Sequence, residues 1–449
     1  MTAARKLFGT DGVRGEASTF LTAELATSLG RAAVAALDVE RPQVLIVRDT
    51  RESGPMLEAA LAAGIAAAGG DALLGGILPT PAAAVLVRRL GLDLAAVVSA
   101  SHNPYRDNGI KFFSRGGTKL DDAAEAAIES LMSSDAGAAA PGGIRDLNGG
   151  LEDYLRALEA AFPLDLSGTR IALDCANGAT HRAAPAIFER LGADVDAIAA
   201  EPDGRNINDD CGSTHLENLA THIAGSGAAI GFAFDGDGDR VLAVDAAGRS
   251  HDGDELIALI ARGMARRKEL DGGVAVTVMS NYGFHQAMAA EGIDVAVADV
   301  GDRYVLDELR RREWSLGGEQ SGHIIDTRFV ATGDGIAAAL MAMRELGGRD
   351  LTGLTAMEKL PQTLVNVRVA DRDALASADA VWQAVEREEA DLGGRGRILL
   401  RPSGTEPVVR VMVEAPTAEE ADAICERLSR DVEQALGGHS SPKAQRAVG

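Results

Sequence analysis

Through the first three quarters of the chain, short apolar runs alternate with amphipathic stretches of helical length. That alternation leaves little room for anything but parallel βαβ units, because a crossover of helix length returns the next strand beside the first in the same direction. The runs at 44–47, 94–99, 170–173 and 274–279 are of this kind. Three of them open into loops of similar type, VLIVRDTRESG at 44–54, RIALDCANGAT at 170–180 and VAVTVMSNYGF at 274–284, as one α/β unit used three times would. The small-residue breaker SSDAGAAAPGG at 133–143 ends the first unit, and a helical pattern over 151–161 follows it. After Pro361 the order becomes strand (363–370), helix (372–390), strand (396–400), strand (408–414), helix (417–436), a small α+β unit. Thr417 and Glu420 stand in capping-box spacing at the start of its last helix. The tail GGHSSPKAQRAVG has no apolar period and is expected to be disordered.

Composition narrows the function. With 44 Lys and Arg against 67 Asp and Glu, the net charge of −23 repels nucleic acid and anionic membranes, so neither is expected as a partner. Aromatic residues make up only 4 %, so small and branched aliphatic side chains must build the core. Cys175, Cys211 and Cys425 are far apart, odd in number and without C-x-x-C spacing, which argues against a disulfide framework and for a reducing cytoplasm. No apolar run follows the N-terminal MTAARKLFGTDGVRG, so no signal peptide is expected. The least polar stretch, 56–75, contains Glu58, Asp71 and several glycines, and reads as a buried helix with its loop, not a membrane span.

Four clusters carry chemistry. In AVVSASHNPYRDNGIKFF (96–113) an apolar strand stops at Ser-His-Asn-Pro, which puts Ser101 and His102 at the carboxyl end of a strand, where open α/β sheets bind ligands. Ser, Asn and Pro also build ordinary turns, so this segment alone leaves both readings open, and it is no G-x-S-x-G elbow. In GFAFDGDGDRVLAVD, Asp235, Asp237 and Asp239 alternate with Gly236 and Gly238. An extended chain would turn the three carboxylates the same way, and a hard divalent cation such as Mg²⁺ would resolve their repulsion. A calcium loop counted from Asp235 would need Gly and Glu where Arg240 and Ala246 stand. LGGEQSGHII (316–325) offers Glu319, Gln320, Ser321 and His323 in a Gly-flanked loop, acceptors and donors suited to sugar hydroxyls, although such a composition is also common in plain turns. In RPSGTEPVVR (401–410), backbone N–H groups around Ser403, Gly404 and Thr405 can form an anion nest that Arg401 and Arg410 grip from either side. Gly333-Asp334-Gly335 fits a dinucleotide fingerprint but reads better as a helix start, and no P-loop motif occurs.

Together SASHNP, DGDGDR, GEQSGH and RPSGTEP, in this order, resemble the α-D-phosphohexomutase superfamily. KLFGTDGVRG at 6–15, NPYRDNGIKFF, VGDRYV at 300–305 and Gln320 resemble its bacterial branch that acts on an amino sugar. The resemblance implies three related α/β domains with mixed sheets (1–147, 148–254, 255–364) and a small α+β C-terminal domain (365–437) around a central cleft, each giving one motif, with 438–449 as a tail. It implies an isomerase that interconverts glucosamine 6-phosphate and glucosamine 1-phosphate, on the route to the UDP-linked amino sugar of bacterial cell walls, as a monomer or homodimer. Ser101 would carry the phosphoryl group, and Ser101, Asp235, Asp237 and Asp239 would hold Mg²⁺. Arg14, His102, Gly301, Asp302, Arg303, Glu319, Gln320 and Ser321 would bind the sugar phosphate, and Arg401, Ser403, Gly404, Thr405 and Arg410 the phosphate that does not react. Arg240 would neutralise charge on the moving group, and Lys111 or His323 would move the hydroxyl proton. The neutral-hexose mutases of the superfamily are the nearest alternative. An aspartyl-phosphate phosphatase built on FAFDGD is a more distant one, since that motif expects Thr or Val where Asp239 stands.

Overall fold

The structure, a computed structural model, describes residues 7–9, 11–133, 140–347, 351–352, 356–403, 406–440 and 445–446. The chain divides into two compact units, one of Met1–Met279 with Ile293–Ala356, the other of Ser280–Gly292 with Met357–Gly449.

The first unit holds three mixed sheets. Strands β1 (Val13–Glu16), β2 (Gln43–Arg48), β3 (Asp71–Ile77), β4 (Leu94–Val98), β5 (Asp107–Ser114) and β6 (Ile144–Asp146) form the first, in the order β1-β5-β4-β2-β3-β6. Strands β7 (Arg170–Asp174), β8 (Asp194–Ile198), β9 (Ile230–Phe234), β10 (Val241–Asp245) and β11 (Ser250–His251) form the second, in the order β11-β10-β9-β7-β8. Strands β12 (Gly273–Thr277), β13 (Asp294–Ala298), β14 (Leu316–Gly318) and β15 (Ile324–Asp326) form the third, in the order β13-β12-β14-β15. One pattern recurs in all three. A leading strand (β2, β7, β12) lies parallel between two neighbours, and the third strand of the set turns back into an antiparallel fourth (β4 to β5, β9 to β10, β14 to β15). Each leading strand also ends on the same device. A side-chain oxygen of Asp49, Asp174 or Thr277 accepts the N–H two residues on, from Arg51 (3.0 Å), Ala176 (2.9 Å) or Met279 (3.2 Å). The threefold use of one unit, read from the loops at 44, 170 and 274, is therefore real.

Packing follows the aliphatic composition. Val44, Ile46, Ala96 and Val98 of the first sheet meet Leu29 of helix Ala23–Ala35 and Leu57, Leu61 and Ile65 of helix Gly54–Ala67. These helices touch backbone to backbone, since a Cβ on Gly64 would come within 2.1 Å of the Thr27 carbonyl oxygen. The stretch expected as a buried helix with its loop is this second helix followed by β3. The 71–75 segment is a strand, because it lies between β2 and β6 and is paired on both edges.

The second unit carries an antiparallel sheet of β16 (Gln362–Arg368), β17 (Arg397–Pro402), β18 (Val408–Glu414), β19 (His439–Ser440) and β20 (Gln445–Arg446). Two expectations change here. The helix expected over 372–390 is a 3₁₀ turn, Asp373–Ser377, and then helix Asp379–Leu392. Asp371 Oδ1 accepts the Asp373 N–H at 2.9 Å, which starts a separate turn before the main helix. The tail is not all disordered. β19 and β20 both pair with β16, whose edge away from β18 otherwise presents bare N–H and C=O groups. Thr417 caps helix Ala418–Leu436 by accepting the Glu420 N–H at 3.2 Å. Among the described residues, no helix is long and apolar enough to cross a membrane.

Candidate active site

In each repeat, the turn between the third strand and the antiparallel fourth holds one of the clusters: Ser101 between β4 and β5, the acidic trio between β9 and β10, Glu319 to His323 between β14 and β15. Backbone bonds join the last two turns, with Val241 N–H on the Gly322 carbonyl at 3.0 Å and a bridge between Arg240 and His323. A cleft of about 820 Å³ opens over them, lined among others by Arg14, Ser101, His102, Arg240, Asp302 and His323.

Ser101 is 1 % exposed, and its backbone is left-handed at φ +53°. A residue with a Cβ reaches that region at a cost of roughly 1–2 kcal/mol. Its Oγ donates to Asp235 Oδ2 at 2.5 Å and lies 3.4 Å from His102 Nδ1. Asp235, Asp237 and Asp239 are all buried, and each offers one oxygen within 4.8 Å of the others. They converge through a turn rather than along an extended chain, the geometry first expected. Gly238 takes φ +75°, and a Cβ on Gly236 would come within 2.6 Å of the Ser101 carbonyl oxygen.

Electrostatics show what the trio lacks. Burial pushes the Asp235 carboxyl well up, and the Asp239 and Asp237 carboxylates push it further. Burial also raises Asp237, but Lys111 (2.7 Å) and the Thr80 hydroxyl (2.6 Å) outweigh it and hold that group below the usual range. Asp237 Oδ1 and Asp239 Oδ1 are buried without a hydrogen-bond partner. Orphaned oxygens, an oxygen-only donor set and mutual repulsion fit a hard divalent cation.

Lys111 is 3 % exposed and faces Asp237, Asp239 (3.6 Å) and Asp11 (3.7 Å). Burial alone would lower its pKa, but these carboxylates raise it, so the side chain stays an ammonium. The sequence reading missed Lys119, whose Nζ bridges Asp11 (2.6 Å) and Asp302 (2.5 Å). Burial raises Asp302, yet Lys119 and His323 bring it down to about 2. His323 Nε2 accepts the Gly333 N–H at 3.2 Å and lies 3.4 Å from Asp302. Glu319 Oε1 accepts the Gly301 N–H at 3.0 Å, and Arg14 pairs with Asp11. Gln320 and Ser321 line the cleft beside them. Arg303 also lines the cleft, but its guanidinium pairs with Asp122 and with Glu125 (3.3 Å). Asp334, expected near a helix start, caps helix Gly335–Leu346 through the Ala337 N–H at 2.9 Å and accepts from the Tyr154 hydroxyl at 2.9 Å.

In the second unit, Arg401 and Arg410 are cross-strand neighbours. Burial and the Arg410 charge lower the Arg401 pKa. Ser403 beside them is 4 % exposed with an unpartnered Oγ. Arg372, which the sequence reading passed over, donates to the Ser403 carbonyl and to that of Glu406 (3.1 Å). Gly404 and Thr405 lie outside the described residues.

Models of phosphoglucomutase/phosphomannomutase α/β/α domains I, II and III and of the C-terminal domain match residues 5–138, 152–248, 252–364 and 364–430. The chain belongs to the phosphoglucomutase/phosphomannomutase family, which disposes of the aspartyl-phosphate phosphatase alternative. It is 50 % identical to the phosphoglucosamine mutase of Moorella thermoacetica over 95 % of this chain and 98 % of that one. It is 49 % identical to that of Mycolicibacterium smegmatis over 95 % and 99 %. Among solved structures, a phosphoglucomutase/phosphomannomutase family protein from Burkholderia thailandensis shares the fold at a TM-score of 0.80 and 24 % identity, covering 98 % of this chain and 99 % of that one. The Aspergillus fumigatus N-acetylphosphoglucosamine mutase, in complex with GlcNAc-6P and magnesium, shares it at 0.67 and 18 %, covering 96 % of each.

Proposed function

We propose that this chain is an isomerase that interconverts glucosamine 6-phosphate and glucosamine 1-phosphate through a phosphoserine at Ser101 and a bisphosphorylated sugar. The observation that carries the reading is the 2.5 Å contact of Ser101 Oγ with the acidic trio, at the floor of the cleft that holds the Glu319–His323 turn. The two ends of a hexose are too far apart for direct transfer, so a serine that donates and then accepts the phosphoryl group is what the reaction needs. Mg²⁺ is the cation we assign to Asp235, Asp237, Asp239 and a phosphoserine oxygen; when bound it offsets charge on the group in transfer.

The side chains divide the remaining work. Lys111, held as an ammonium, neutralises charge beside the trio, and Arg240 does the same. His323 is the group we assign to take the sugar hydroxyl proton, and Asp302 at 3.4 Å stabilises the imidazolium that results. Arg14, His102, Gly301, Glu319, Gln320 and Ser321 orient the sugar phosphate, while Arg303 contributes through its grip on Asp122 and Glu125. Arg401, Ser403 and Arg410 are the phosphate-binding set of the second unit. The divisions at 147/148 and 254/255 are supported by sheets that do not cross them, while strand β16 (Gln362–Arg368) spans 364/365. Three free, buried cysteines agree with work in the cytoplasm.

Two measurements test the reading. Intact-mass and peptide mapping should find acid-stable, alkali-labile phosphate on Ser101. Catalytic efficiency should be roughly ten- to a hundredfold higher for glucosamine 1-phosphate than for glucose 1-phosphate or mannose 1-phosphate, the value of one buried charge-assisted contact between Glu319 and the 2-ammonium group. Equal turnover of a neutral sugar would remove glucosamine and leave the phosphoserine mechanism in place.

A further inference from the structure

Arg51 is entirely buried, and every guanidinium N–H has an acceptor. Nε donates to Asp49 Oδ2 at 2.9 Å, Nη1 to the carbonyls of Pro104 and of Asp107 (3.0 Å), and Nη2 to those of Ser101 and Asn103, at 2.8 Å each. The turn carrying Ser101 is thus folded around a single side chain from the end of β2. A second donor reaches the same place from the neighbouring repeat. Asn208 Nδ2 donates to the same two carbonyls, of Ser101 at 2.9 Å and of Asn103 at 3.1 Å. The amide side of Ser101 leads back to the same pair, since Ser101 N–H donates to Ser99 Oγ (3.0 Å), which donates to Asp49 Oδ2 (2.5 Å). Gly236 of the acidic turn closes on the gripped carbonyl, with room for no side chain between them.

Satisfying buried carbonyls would by itself call for one donor each. Here Ser101 and Asn103 each receive two, from different repeats, and the residue so held is in a left-handed conformation that a serine does not choose unaided. If that hold were released, relaxation of the Ser101 backbone to negative φ would swing Oγ away from Asp235.

We propose that Arg51 and Asn208 are positioning residues for phosphoryl transfer, fixing the Ser101 backbone so that Oγ and its phosphoryl group stay aimed at the acidic trio through both halves of the reaction. This rests on the reading of Ser101 as the phosphoryl carrier. Apart from His102, the sugar is held by other turns, so loosening the clamp lowers kcat and changes KM little.

The test uses the full-length phosphorylated enzyme with Arg51→Lys, which keeps the charge beside Asp49 but lacks the fork, and Asn208→Gly, which keeps the left-handed backbone (φ +58°) but lacks the donors. For each, kcat and KM are measured on glucosamine 1-phosphate, together with the relaxation of the phosphoserine ³¹P signal by Mn²⁺, which falls steeply as phosphorus and metal separate. Expected are a kcat loss of roughly a hundredfold, the scale of an ångström's misplacement, KM within about twofold, and a clearly weakened Mn²⁺ effect on ³¹P. Near-normal kcat with unaltered ³¹P relaxation in a folded variant overturns the proposal, as does a loss of kcat with relaxation unaltered. If Arg51→Lys does not fold, Asn208→Gly decides. A wild-type enzyme without a phosphoserine signal defeats the underlying reading instead.

Discussion

At the scale of single residues, the site is a set of buried charges in which Lys111 holds Asp237 below the usual carboxylate range while burial and the other two carboxylates push Asp235 above it. Asp237 is held below the usual range chiefly by Lys111 and Thr80, so Asp237→Asn removes both a proposed ligand charge and the partner of a buried ammonium. We expect the Mg²⁺ concentration for half-maximal rate to rise at least about tenfold and kcat/KM to fall about a hundredfold, measured by Mg²⁺ titration after EDTA treatment. Full activity of that variant at low micromolar Mg²⁺ would refute the metal assignment. Asp334 makes a different prediction. Burial, opposed by its bonds to Ala337 N–H and the Tyr154 hydroxyl, puts its carboxyl up at about 6 against an ordinary 3.8. The folded state therefore holds that proton more tightly than the unfolded chain. The stability it confers is complete below about pH 4 and lost as pH rises through 6, on the order of 3 kcal/mol. Asp334→Asn keeps an acceptor for both bonds and has nothing to titrate. The variant's Tm relative to wild type should climb by a few degrees between pH 4 and pH 6, in melts at matched ionic strength.

At the scale of elements, the three cluster-bearing turns occupy the same place in three copies of one unit, which no one of them announces. The sequence showed each cluster, because a Gly-flanked polar run directly after an apolar strand is locally visible, and it showed the kinship of the leading strands. It did not show that Ser101, the acidic trio and Glu319–His323 are equivalent, since the segments between leading strand and active turn differ in length and content. It also hid the residues that serve the site from afar. Arg51 lies 50 positions from Ser101, Asn208 lies 107 from it, and Thr80 is 157 from Asp237, each in a segment whose own composition reads as ordinary turn or helix start. Side-chain convergence was legible for the trio only as chemistry. The turn at Gly238, not strand alternation, supplies the geometry. Helix pairing gives the test at this scale. Gly64→Ala places a methyl where the Thr27 carbonyl stands, so the Ala23–Ala35 and Gly54–Ala67 helices must part. Overpacking of this kind costs about 1–3 kcal/mol, to be read as a lowered Tm with kcat retained well below it.

At the scale of the whole molecule, two compact units with separate cores are not expected to melt as one. Calorimetry should resolve more than one transition, or give a calorimetric enthalpy above the van't Hoff value; a single two-state peak would contradict the division. The chain passes between these units three times, because Ser280–Gly292 belongs with Met357–Gly449. Its helix Tyr282–Ala290 donates the Tyr282 N–H to Glu414 at 2.9 Å, on a sheet whose first strand opens only at Gln362. On a ribosome adding roughly 5–20 residues per second, this helix leaves the exit tunnel several seconds before any surface exists to receive it. The C-terminal region is thus no appendage that a gene could gain or shed at one point. A message cut after codon 356 would yield a protein with an orphaned helix in its middle, and during every normal round of synthesis that helix must wait, uncovered, for the end of its own chain.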